Sequence, residues 1–138
     1  MRRGIGVLFA LLTALLLSSA AWAYEPYSPA PVTLTVSGSN FTPDCSVNGF
    51  SNNFIITLTA NSQTLANPTN CPAGTSLVVT INQGAGSGFT GFATGTQYKF
   101  AGGVTPPWSV VLGKKDVISC NSDTSTTYNC TATIASGG

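Results

Sequence analysis

Apolar and polar residues fall into two regimes along the chain. From Val7 to Leu17 every position is apolar except Thr13, with Arg2 and Arg3 ahead of the run and Ser18, Ser19 and Ala20 behind it. A basic start, a short apolar core and a small-residue end, here Ala21-Trp22-Ala23, are the parts of a secretory leader. The run is too short to cross a bilayer, which takes about 20 apolar residues. The pattern predicts a signal peptide over 1–23. Residues 24–31 hold Pro26, Pro29 and Pro31 and read as an extended tether. From Val32 onward the period becomes two. Val32 to Val36 alternates aliphatic with Thr. Phe54, Ile56 and Leu58 share one face of a run from Phe54 to Ala60, and Leu77, Val79 and Ile81 share one face of Leu77 to Asn82. Val117 to Cys120 and Tyr128 to Ile134 are two further candidates. Alternation rich in β-branched residues is the strand signature. Turn chemistry separates these runs at Ser37 to Asn40, Asn67 to Asn70, Gly84 to Gly88, Gly102-Gly103 and Pro106-Pro107. Beyond the leader no window has a helical period with a cap, and no tandem repeat is visible. The expected architecture is a single all-β domain over 32–138, a small antiparallel β-sandwich or partly open barrel.

Cysteine usage adds covalent staples. The chain has four cysteines, Cys45, Cys71, Cys120 and Cys130, all beyond the leader. An even count in a small exported chain reads as two disulfides. Cys120 and Cys130 flank a stretch of turn composition, so a hairpin there brings their sulfurs together. That favours Cys120–Cys130, and with it Cys45–Cys71, out of three pairings. The chain has no histidine and no Cys-x-x-Cys, which argues against a metal site.

Charge is scarce: five basic and four acidic residues in 138. The balance excludes a polybasic nucleic-acid binder, and after removal of the leader Ser, Thr, Asn and Gly dominate. Such a surface is solvated by dipoles and is insensitive to salt. Catalytic constellations are missing. Triads need a histidine base, and glycoside hydrolysis needs two facing acids. The acids are Glu25 in the tether, Asp44, Asp116 and Asp123. Lys114-Lys115-Asp116 reads as an exposed turn, and Gly84 to Gly88 as a hairpin tip lacking the lysine of a phosphate loop. No catalytic, cofactor or metal site is expected. Among the aromatics from Phe89 to Trp108, Trp108 after Pro106-Pro107 is the expected exposed ring. Trp108 and Tyr98 are the candidate ligand contacts. Asn40-Phe41-Thr42 and Asn129-Cys130-Thr131 match the glycosylation sequon.

Several stretches keep a recognisable order and spacing: Thr57-Leu-Thr-Ala-Asn61, Thr64-Leu-Ala-Asn-Pro-Thr-Asn70, Leu77 to Gln83, Tyr98-Lys-Phe-Ala-Gly-Gly103 and Asp116-Val-Ile-Ser119. Over roughly residues 54–134 the chain resembles a β-rich module of structural and tail-appendage proteins of tailed bacteriophages and prophages. The resemblance implies a small antiparallel β domain with a structural or attachment role, often homotrimeric and without catalytic residues. The leader and the cysteines at 71 and 120 depart from that module and suggest a form adapted for export. The expected function is therefore a secreted, non-enzymatic structural or adhesion domain with a cell-surface or glycan partner. It is expected to be extracellular or periplasmic, as homotrimer or monomer, with no nucleic acid and no membrane contact once the leader is gone. A carbohydrate-binding module and a small secreted inhibitor or toxin-like protein are the alternatives.

Overall fold

A computed structural model describes residues 30–47, 52–85 and 88–135. The leader, most of the tether and the last three residues lie outside them. The fold is all-β. Among the described residues nine strands follow in order: β1 Val32–Thr33, β2 Asn40–Phe41, β3 Asn53–Leu58, β4 Thr64–Leu65, β5 Ser76–Gln83, β6 Ala93–Thr94, β7 Tyr98–Phe100, β8 Lys115–Thr124 and β9 Thr127–Thr133, with a 3-10 turn at Ala101–Gly103 after β7. They form a six-stranded sheet, β1-β3-β5-β8-β9-β7, and a three-stranded sheet, β2-β4-β6.

The expected antiparallel arrangement gives way to mixed sheets. β1 pairs parallel with β3, β3 with β5, β7 with β9, and all three short strands pair parallel. Among the pairs of described strands, only β5 with β8 and β8 with β9 run antiparallel. The reason is the route of the chain. It passes alternately between the sheets, placing β1, β3 and β5 in the large one and β2, β4 and β6 in the small one. Returning in the same direction needs a crossover, and here the second sheet supplies it. Each circuit takes roughly 25 residues, long enough for such a crossover. The β8–β9 hairpin then enters between β5 and β7, so β7 runs parallel to β5 with two strands between them.

The period-two faces pack as the sequence predicts. Phe54, Ile56 and Leu58 of β3 and Leu77, Val79 and Ile81 of β5 are buried, joined by Ile118 of β8 and Tyr128 of β9. Phe41 from β2 and Leu65 from β4 belong to the same cluster, so residues of both sheets share one core. Such side chains contribute roughly 1.5–3 kcal/mol each on burial.

Both favoured disulfides are present, Cys45–Cys71 and Cys120–Cys130, and no described cysteine is free. Cys120 lies directly opposite Cys130 in the β8–β9 ladder, with a Cα–Cα distance of 4.1 Å. The turn is tighter than the composition suggests, since β8 runs to Thr124 and β9 starts at Thr127. Cys45–Cys71 joins two successive circuits beside the parallel bridge of Asp44 with Thr69. Two disulfides belong to an oxidising, extracellular-type compartment.

Candidate functional site

The long connection from β7 to β8 is where polar groups enter the interior. In β5 the buried face continues past Ile81 to Gln83, which is 6% exposed. Its Oε1 accepts from the Phe89 N–H at 2.9 Å, and its Nε2 donates to the carbonyls of Phe89 and Ser109. In β8 the same parity that buries Ile118 and Cys120 buries Asp116, at 2% exposure. Its Oδ2 accepts from the Ser109 N–H at 2.7 Å and its Oδ1 from the Ala135 N–H at 2.9 Å. These two side chains tie the segment around Phe89, the 101–114 connection and the chain after β9 to the central strands. Asp116 is thus not part of an exposed turn. Its alternation with Ile118 and Cys120 was the available signal, masked by the two lysines before it.

The connection then closes tightly. The Lys114 N–H donates to the Val111 carbonyl at 3.1 Å, and the Gln83 N–H to the Lys114 carbonyl at 3.2 Å. Gly113 takes the corner at φ 76°, a backbone region that glycine reaches without strain. Gly88 packs against the other leg so closely that a Cβ would overlap the Val110 carbonyl.

The aromatic candidates turn inward. Trp108 is half-buried, edge-on to Phe92 at 5.4 Å and to Phe100 at 5.9 Å between ring centroids. Its indole nitrogen is buried. Tyr98 is 5% exposed, its ring 6.1 Å from that of Tyr128, and its hydroxyl donates to the Ala66 carbonyl at 3.1 Å. Burial pushes the Tyr98 phenol well above its ordinary value, and the neighbouring Tyr128 adds to the shift. The sequence reading of Trp108 as an exposed ring fails because Phe92 and Phe100 close over it from other parts of the chain. An open cleft of about 350 Å³ lies where β6 and β7 meet, lined by Thr94, Thr96, Lys99, Phe100 and Val104 among others.

The three described acids are each engaged by different partners. Asp116 and Asp123 lie at opposite ends of β8 and on opposite faces, about 23 Å apart at the usual strand rise. The exposed Asp123 accepts from the Asn129 amide, which also occupies the second sequon. Asp44 sits at the Cys45–Cys71 turn and accepts from the Ser46 hydroxyl at 2.7 Å, the Ser46 N–H at 2.9 Å and the Asn70 amide at 3.0 Å. No group of three or more metal-ligating side chains comes together among the described residues. No family model, curated protein or solved structure matches the chain.

The Ser46 hydroxyl, the Asn70 amide and the Ser46 N–H hold Asp44 below its ordinary value of 3.8, in that order of strength. A depressed folded-state pKa means that the unfolded chain takes up the proton first. The stabilisation is therefore present above about pH 4 and is lost as pH falls through the lower folded value. Asp44→Asn should lower Tm slightly at pH 6, and the gap to the parent protein should shrink at pH 2. A gap that stays constant across those two melts would remove this role.

Proposed function

We propose that the chain is an exported, non-catalytic β domain that acts by surface contact, as a structural or adhesion module, after loss of residues 1–23. In this reading the two sheets are the layers of an open sandwich over a common core, fastened by two disulfides for life outside the cell. One observation carries it. The carboxyl groups of Asp44, Asp116 and Asp123 each accept hydrogen bonds from the chain's own amides or hydroxyls, and no two of them share a partner. Groups held in this way serve the scaffold, and an acid–base pair needs two of them at one reacting centre. The chain also lacks histidine. The resemblance to phage appendage modules supports the same kind of work, with a cell surface as the partner.

Saccharide binding is the second reading, favoured by the cleft beside Phe100 and Lys99. Labelled, oxidised protein applied to intact cells and to a glycan array distinguishes the two. Saturable binding to cells, with glycan signals absent, is expected for the contact module. A glycan signal abolished by Lys99→Ala, on the wall of that cleft, would support the saccharide reading, and absence of binding to any surface would overturn both.

A further inference from the structure

The pinned turn before β8 presents an apolar tip. Val110 is 48% exposed, Val111 41% and Leu112 53%, three consecutive large aliphatic residues facing water. Single exposed aliphatics are ordinary, whereas adjacent ones on one protrusion mark a contact site. The tip is firmly held. Buried Asp116 and Gln83 grip Ser109 on one leg, Gln83 bonds the Lys114 carbonyl on the other, and the Ser109 hydroxyl accepts from the Val111 N–H at 3.3 Å. A surface element ordered in advance loses little entropy on binding. Two of the three described cations, Lys114 and Lys115, follow the tip at once.

We infer that this turn, Val110 to Lys115, is a contact element for anionic lipid surfaces. The aliphatic side chains enter the boundary between headgroups and acyl chains, and the two ammonium groups face lipid phosphates. The inference rests on the contact reading above and names its partner. It replaces the sequence expectation of no membrane contact with a peripheral one. Nothing in it requires a span, and no described helix is long and apolar enough to be one.

Chemistry favours lipid over a protein groove. Anchors in protein interfaces are mostly Trp, Tyr and Arg, with Leu and Val under-represented. A small aliphatic wedge backed by lysines instead matches a fluid surface that presents anionic charge over hydrocarbon. Its binding grows with buried apolar area and with anionic lipid content. A contact of this size is reversible and salt-sensitive, in keeping with two lysines acting near the membrane surface.

Sedimentation with vesicles tests the inference. Purified, oxidised protein is mixed with vesicles of phosphatidylcholine alone or with phosphatidylglycerol added. The expected partition coefficient is about tenfold higher on the anionic vesicles and falls with salt. Leu112→Ser, at an exposed position, should lower it by about tenfold. Lys114→Glu combined with Lys115→Glu should abolish the preference for phosphatidylglycerol. Both variants should retain the parent circular dichroism spectrum and two intact disulfides. Partitioning of Leu112→Ser equal to that of the parent, or no sedimentation with either vesicle, would overturn the lipid contact. Binding to cells that disappears on protease treatment of those cells, with vesicles unbound, would assign the turn to a protein partner. That result would leave the contact reading of the domain intact while sinking this inference.

Discussion

Reduction of both disulfides should unfold the domain at 37 °C. The two bonds close segments with sequence separations of 26 and 10 residues. In the chain-entropy model such loops contribute about 3.5 and about 2.7 kcal/mol. Their sum, about 6 kcal/mol, is comparable with the whole stability of an ordinary small domain. Replacing one pair at a time separates the contributions. Cys45→Ser with Cys71→Ser should lower Tm more than Cys120→Ser with Cys130→Ser, because the longer loop gains more freedom on release. The second pair lies within a hairpin already aligned by the β8–β9 ladder, and the first fastens two circuits that meet through two-residue strands and a single bridge. Scanning calorimetry of oxidised, reduced and paired-variant protein measures this. A Tm unchanged by reduction would show that packing alone holds the circuits together.

Asp116→Ala should cost about 4 kcal/mol, because it leaves the Ser109 and Ala135 N–H groups without their acceptor. The damage should be local first. Ser109 follows Trp108, whose ring packs edge-on against Phe92 and Phe100. Release of that segment should shift Trp108 emission to the red and speed amide exchange at Ser109 and Ala135. Asp116→Asn keeps one carbonyl acceptor and sets an amide NH₂ against a backbone donor, so it should fall between the alanine variant and the parent. The effect extends to the lipid contact, since the same carboxyl group steadies the turn that carries Val110 to Leu112. Equal Tm and unaltered emission in Asp116→Ala would mean that the connection is held by other contacts.

Strand faces were legible in the sequence, and strand direction was not. Parity along Phe54-Ile56-Leu58 and Leu77-Val79-Ile81 shows which side chains go inward, because a strand alternates whichever way its neighbour runs. The route that makes β1, β3 and β5 parallel passes through β2 and β4, each of two residues. Two residues hold no periodicity, and the circuits share no common motif, so the winding left no repeat to find. The Cys120–Cys130 pairing was legible because it is local to one hairpin. Cys45–Cys71 then followed as the remaining pair.

The candidate site shows the same division between local and distant information. Asp116 carried its burial in its alternation with Ile118 and Cys120, yet three adjacent charged residues read as a surface turn. Gln83 extended the buried face of β5 by one more position, and a glutamine in that place gives no sign that it holds a loop. Trp108 looked exposed because Pro106 and Pro107 precede it, and its true neighbours come from β7 and from the segment before β6. Exposure of Val110, Val111 and Leu112 ran against their hydropathy, which by itself would have placed them inside. What decides each of these cases is a contact between distant parts of the chain.

Turnover is the most direct test of whether the domain works by contact alone. Oxidised protein is incubated with glycoside, ester, peptide and phosphoester substrates, beside the variants Asp44→Asn and Asp123→Asn. All three proteins should give the rate of buffer on every substrate. A rate above buffer that either substitution returns to the buffer level would contradict action by contact alone.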